Sequence, residues 1–282
     1  VEVLRFLPTP FHENGLTDEG LAALAESPHL TRLHTLDLDR QRLTAAGLKA
    51  LMDSGLVRRL RAFRLAQTRP NPVWPQAVAG DAIGQLWAGR HFPALESLAL
   101  ENTPLTPKQL DLLLAGKFNR LTELSLVHCA LRDGGAEVLA RAATSLTPRE
   151  LDLRQNLLGE PAVRALARSE LPEHLRALNL SSNRLGNAGV AALVSGRTFF
   201  ALRQLVLRRN RLGDSAARIL GAYPVFPRLR KLDLAYNELS LAGVRRLMKC
   251  KSLSFLQFLD VRGNTFHRHE KALLRKKWQA TC

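Results

Sequence analysis

Leu175 to Phe255 reads as three consecutive lines: LRALNLSSNRLGNAGVAALVSGRTFFA from Leu175, LRQLVLRRNRLGDSAARILGAYPVFPR from Leu202 and LRKLDLAYNELSLAGVRRLMKCKSLSF from Leu229. Each line opens L-x-x-L-x-L-x-x-N-x-L, and the next begins 27 residues later. Chance supplies one such leucine run. It does not supply the same Asn, three residues after the third Leu, in three successive lines. Working outward, opening positions fall at Val1, Leu33, Leu60, Leu95, Leu121, Pro148, Leu175, Leu202, Leu229 and Leu256, with spacings of 32, 27, 35 and 26 followed by five of 27. The repeat covers nearly the whole chain, and the two long spacings mark insertions near residues 7–15 and 69–80.

Within a line, Leu178-Asn179-Leu180 and Leu232-Asp233-Leu234 alternate with a period of two, which predicts a short strand with one buried face. After the turn, Ala188 to Leu193, Ala217/Leu220 and Val244/Leu247 follow a period near 3.6, which predicts a short helix with one apolar stripe. Such a helix is too short to persist alone. Stacking successive lines buries both faces in one continuous core.

Three further columns recur. A small residue precedes each helix's apolar pair at Gly20, Gly47, Ala82, Gly135, Ala162, Gly189, Ala216 and Gly243, broken by Gln109; a larger side chain there is expected to push the helix off the strands. A spine at Leu30, Val57, Phe92, Phe118, Phe199, Phe226 and Leu253 is expected to be core. The Asn column (Asn156, Asn183, Asn210, Asn237, Asn264) can satisfy backbone groups at the turn. Cys129, Thr103, Thr68 and Gln41 replace it toward the N-terminus.

These units, extended to L-x-x-L-x-L-x-x-N-x-L-x-x-x-G-x-x-x-L over about residues 16 to 266, resemble the ribonuclease-inhibitor-like class of leucine-rich repeat. The resemblance implies an α/β solenoid, a right-handed horseshoe of about ten repeats. Parallel strands would line the concave face and short helices the convex face, with protein ligands held on the concave face or strand-end rim. The class has no fixed functional residues, so it implies no catalytic set. Ribonuclease inhibitor itself is strongly acidic, whereas this chain carries a formal charge of +16, which argues against that activity. The Ala/Arg/Gly-rich usage and the basic ending HEKALLRKKW resemble bacterial proteins with such repeats.

Composition bounds the function classes. No apolar run approaches the roughly 20 residues of a membrane span, and VEVLRFLPTP has no basic head before an apolar core, so it does not read as a signal peptide. The chain lacks an initiator Met, which leaves room for an upstream cap or domain. Three cysteines (Cys129, Cys250, Cys282) are too sparse for a disulfide framework,. Cys129 is expected to be a buried thiol, and a cytoplasmic location is favoured. The domain reading is a repeat domain over 1–266 and a basic capping helix or tail over 267–282, in which Ala272, Leu273 and Trp278 could cover the open end of the core.

Catalysis is poorly supported. His267 and His269 lack a completing metal ligand, His128 and Cys129 point to opposite faces of one strand, and the GAGV-like strings open helices and form no phosphate loop. No cofactor, metal or small-molecule substrate is expected.

On the inner wall eight acidic residues oppose eight basic ones, so that face is near neutral and the excess positive charge lies elsewhere. An acid-lined middle, Glu101, Glu123, Glu150 and Asp152, sits between mixed or basic ends that include Arg154 and the pair Arg208 and Arg209. Tyr236 beside Arg209 and Asp233 has the composition of a protein hot spot. Trp74, in the second insertion, reads as either a cover over local core or an exposed anchor. The leading expectation is a non-enzymatic scaffold for a protein partner, using these residues. The rival is an anion-binding module for nucleic acid or acidic membrane, built on Arg149, Arg176, Arg203 and Arg230 with Lys276 and Lys277 of the tail. The third is the sensor region of a larger switch protein.

Overall fold

The computed structural model describes residues 2–6, 15–39, 41, 43–66, 83, 87 and 91–266. The two insertions, with Trp74, and the tail with Lys276 and Lys277 lie outside the described residues. Packing divides the chain into two units, residues 1–130 and 131–282.

The first unit carries strands β1 (Val3–Arg5), β2 (Thr35–Asp39), β3 (Ala62–Ala66), β4 (His91–Phe92), β5 (Ser97–Glu101), β6 (Lys117–Phe118) and β7 (Glu123–Val127), with helices α1 (Asp18–Glu26), α2 (Ala45–Asp53) and α3 (Pro107–Leu114). β1, β2, β3, β5 and β7 pair in parallel in that order, with Leu36, Phe63, Leu98 and Leu124 in register. β4 and β6 form a separate two-stranded ladder that places Phe92 beside Phe118, their rings stacked 5.2 Å apart. The buried indole of Trp87 lies 4.5 Å from the Phe92 ring. It extends the expected spine with a side chain from the irregular third repeat.

The second unit carries helix α4 (Arg132–Ala142), strand β8 (Glu150–Asp152), α5 (Glu160–Arg168), the single turn α6 (Leu171–His174), β9 (Ala177–Asn179), α7 (Gly186–Val194), β10 (Gln204–Val206), α8 (Asp214–Ala222), β11 (Lys231–Asp233), α9 (Leu241–Met248) and β12 (Phe258–Asp260). Strands β8 to β12 pair in parallel in chain order, and Leu151, Leu178, Leu205, Leu232 and Leu259 stand directly opposite one another. All five are buried. Full burial of one such leucine stabilises by about 1.5–3 kcal/mol, and none could be buried by its own repeat. Phe199 and Phe226 of the spine are buried, with ring centroids 5.4 Å apart.

Two polar ladders tie each repeat to the next. In the first, the buried amide of Asn210 accepts from the N–H groups of Asn183 and Leu185 and donates to the carbonyls of Leu180 and Leu207. Asn183 and Asn237 repeat the pattern one line earlier and later. The column therefore satisfies its own turn, as expected, and also the turn of the preceding repeat.

In the second ladder, a polar side chain in the first turn of one helix accepts from the backbone at the start of the next. Asp214 holds Ser240 N–H at 2.8 Å, Asp133 holds Gly159 N–H at 2.8 Å, Asn187 holds Gly213 N–H at 3.0 Å and Asp18 holds Thr44 N–H at 2.8 Å.

This second ladder changes the explanation of the small-residue column. A Cβ on Gly243 would stand 2.1 Å from Asp214 Oδ1, and one on Gly47 2.3 Å from Asp18 Oδ1. At Gly20, Gly135 and Gly189 it would meet the leucine four residues earlier, 2.8 Å away. The space is taken by the previous repeat's acid or by the turn leucine, and not by the strand layer. Gln109, the exception, is explained by α3. Its side chain accepts from Thr106 N–H while its N–H bonds the Thr106 hydroxyl, completing a reciprocal cap before Pro107,.

Candidate functional site

The open face of the last strands of the second unit gathers Arg208, Arg209, Asp233, Tyr236, Asp260 and Arg262. Tyr236 ends the turn after β11 with a left-handed backbone, φ +56°, as does Arg209 one repeat earlier at +55°. The same column is left-handed at Asn102, His128, Gln155, Ser182 and Gly263, a conformation that costs a bulky residue roughly 1–2 kcal/mol. The turn directs the Tyr236 side chain along the column. Arg208 Cζ sits 4.3 Å and Arg209 Cζ 5.0 Å from its ring centroid. On the other side the ring lies against Gly263, where a Cβ would come within 2.6 Å of Cδ1. Tyr236 as a whole remains 45% exposed. Guanidinium groups over a tyrosine face stabilise by about 0.5–1 kcal/mol each at exposed sites, enough to hold the ring in one orientation before any partner arrives.

The carboxylates of this face are engaged with their own turns. Asp233 accepts from Ala235 N–H at 2.8 Å, Asp152 from Arg154 N–H at 3.1 Å and Asp260 from Arg262 N–H at 3.0 Å, with Asn179 doing the same for Ser181. Arg262 also grips Asp260 through Nε and Nη2, at 3.0 and 2.6 Å. Those contacts, the hydrogen bond first, push the guanidinium's pKa up. Burial pushes the Asp233 carboxyl above the ordinary aspartate value. The Ala235 N–H opposes the rise, the nearby Asp260 adds to it, and Arg208 and Arg262 oppose it. Asp152 is raised by burial too, against hydrogen bonds and charge from Arg154.

The expected acid-lined middle divides between the two units, and half of it is occupied. In the first unit Glu101 is bonded by Arg64 at 3.2 Å, and Glu123 is exposed at the start of β7. In the second, Glu150 is exposed and Asp152 is bridged by Arg154 at 2.9 Å. Arg208, Arg209, Asp233 and Tyr236 do come together. Asp260, Arg262 and Gly263 complete the cluster. They occupy the same repeat positions in the last line as Asp233, Ala235 and Tyr236 do in the line before, and that positional match is the signal in the sequence that would have found them.

Cys129 is fully buried, its thiol pushed up to about 12 chiefly by burial, so it is not an activated nucleophile. Among the described residues no group of His, Cys, Asp and Glu could hold a metal ion, and no helix is long and apolar enough to cross a membrane. A cavity of about 270 Å³ at the last repeat is lined by Leu247, Leu253, Leu256 and Leu259 together with Met248, Lys249, Cys250, Lys251 and Ser254.

A family model described as Leucine Rich repeat matches residues 120–140, 172–194 and 228–248, the lines in which the leucine register and much of the Asn ladder have just been described. The chain is a leucine-rich repeat protein. Its fold class is accordingly an α/β leucine-rich repeat solenoid. Among solved structures, a leucine-rich repeat protein of Leptospira interrogans is similar at 18% identity and a TM-score of 0.44, over 90% of this chain and 61% of that one. The chain thus spans less than two thirds of that protein. A chain of the Rad7 and Elc1 complex in yeast is similar at 15% identity and a TM-score of 0.35, over 94% of this chain and 83% of that one. No curated protein matches this leucine-rich repeat chain.

Proposed function

We propose that this leucine-rich repeat protein is a non-enzymatic scaffold that holds a protein partner on the open face of β10, β11 and β12. Leucine-rich repeat proteins commonly bind other proteins, and the matching family model supports that general role. The observation that carries the site is Tyr236, exposed yet held in place by Arg208, Arg209 and Gly263. An aromatic ring pre-set in this way loses little conformational freedom on binding, and tyrosine and arginine dominate the residues that anchor protein interfaces. The mixed charges around it suit a partner with both signs on its surface. The 27-residue lines with a helix in each support placement in the ribonuclease-inhibitor-like class, and the Ala/Arg/Gly-rich usage supports a bacterial origin.

Affinity capture from extract of the source organism, run in parallel with the parent chain, Tyr236→Ala, Arg208→Glu and the double variant Glu123→Arg/Glu150→Arg, tests the site. A partner held by the parent should be lost from the first two and kept by the third. Loss from the third alone would move the site to the acidic positions.

A further inference from the structure

Arg149, Arg176, Arg203 and Arg230 occupy one repeat position, the residue after the opening position, in four consecutive lines of the second unit. Their backbones are hydrogen bonded in a chain: Arg176 N–H donates to Arg149 O at 2.7 Å, Arg203 N–H to Arg176 O at 2.8 Å and Arg230 N–H to Arg203 O at 2.9 Å. At the strand spacing of about 4.8 Å the row is about 14 Å long. All four side chains are exposed.

Four other arginines of this unit are paired with acids: Arg154 with Asp152, Arg164 with Glu160, Arg197 with Glu173 and Arg262 with Asp260. Among the described residues none of the four in the row has a hydrogen-bonded or ion-paired side-chain partner. Of the segments that lead back into the strands, 141–149, 195–203, 222–230 and 249–257 contain no carboxylate, while 168–176 carries Glu170 and Glu173, the second paired with Arg197. Like charges at this spacing repel, and none of the four is ion-paired among the described residues.

The same edge carries aromatic side chains with no core role. Phe200 is 63% exposed and Phe255 69%, whereas their neighbours Phe199 and Leu256 are buried. Phe200 stands three residues before Arg203. Phe255 stands two residues before Gln257, whose N–H bonds Arg230 O at 2.8 Å.

We propose that this strand-entry edge binds single-stranded nucleic acid, the guanidinium row taking successive phosphates while Phe200 and Phe255 stack on unpaired bases. A planar guanidinium fork grips discrete phosphate oxygens, and exposed aromatic faces beside a basic track are how unpaired bases are held without sequence preference. A bilayer offers a diffuse surface potential that lysine meets as well as arginine. Arginine at all four positions, set in a line, fits a linear polyanion better. This surface is separate from the Tyr236 cluster, and its test does not depend on that reading.

The experiment titrates the full chain against a fluorescein-labelled fifteen-nucleotide oligothymidylate across a potassium chloride series, with polyglutamate and phosphatidylserine vesicles in parallel. Four phosphate contacts give a log–log salt slope of about −3, at about −0.7 per contact. Arg149→Gln/Arg176→Gln/Arg203→Gln/Arg230→Gln should remove most of that slope. Phe200→Ser/Phe255→Ser should weaken binding about fivefold or more, with the slope unchanged. Circular dichroism would check that both remain folded. Absence of binding to the oligonucleotide, equal affinity for polyglutamate, binding to vesicles alone, or a folded quadruple variant that binds like the parent would each overturn the proposal. All but the last need no variant.

Discussion

Asn210 shows what a single side chain does in this protein. Its fully buried amide bonds backbone groups of its own turn and of the turn before it. Asn210→Ala should therefore cost about 3–5 kcal/mol, because buried N–H and C=O groups lose their partners at about 1–3 kcal/mol each; the urea midpoint should fall at an unchanged slope. Asp233 is the opposite case. Burial raises its carboxyl, so the native state binds that proton more readily than the unfolded chain. The contribution is present below the ordinary aspartate value and is lost as pH rises through the raised folded value. Asn179 already performs the same turn-closing bond with a neutral amide. Asp233→Asn should thus be at least as stable as the parent at pH 7, with the difference shrinking toward pH 4, as measured by urea midpoints at the two pH values. The Asn column was legible in the sequence because its spacing is constant. The turn-closing role of Asp152 and Asp233 was not, since an aspartate on an outward strand position looks the same whether its oxygens face solvent or the next N–H.

At the scale of the element, helix starts are coupled through the acid of the preceding repeat. Ser240 caps α9 by accepting from Gly243 N–H, while its own N–H and hydroxyl bond Asp214 at 2.8 and 2.6 Å. Gly243→Ala drives a methyl into that carboxylate and should cost about 1–3 kcal/mol, the range for overpacking. Asp214→Ala should cost about 1 kcal/mol for the lost cap support. In Asp214→Ala the methyl has room, so the double variant should be more stable than the sum of the singles implies. A cycle that closes additively would show that Asp214 is not what excludes Ala at 243. Helix positions were readable from local pattern. The reason for glycine was not, because the obstructing atom belongs to a residue 29 positions away, from Asp214 to Gly243.

Across the whole molecule the two units are not equally reinforced. The Asn ladder runs through the second unit, from Asn156 to Asn264. In the first unit the column holds Gln41, whose amide donates to Asp39 O, Thr103, whose hydroxyl donates to Glu101 O, and the thiol of Cys129, which stands 3.6 Å from Leu100 O. Gln41 also accepts from Leu16 N–H at 2.9 Å, as the asparagines do from the preceding turn, whereas the hydroxyl of Thr103 and the thiol of Cys129 are shorter or weaker hydrogen-bonding groups than a buried amide. In a repeat protein, stability is approximately a sum of repeat and neighbour contributions. Strand amides of β2, β3 and β5 should therefore exchange hydrogen faster than those of β9, β10 and β11, and should open at lower denaturant. Equal protection would mean that the ladder does not set the difference.

Taken by itself, the sequence determined the repeat, its period, the alternation of strand and helix and the membership of the core columns. Those follow from local periodicity and from the inability of one line to bury its own leucines. Only the tertiary structure decided which polar side chains are committed and which are free. Partners in a stacked repeat lie 25 to 30 residues apart in the chain, so Asp214 and Arg203 look alike on the page. Stacking brings a neighbour's backbone to the first and brings no acid to the second.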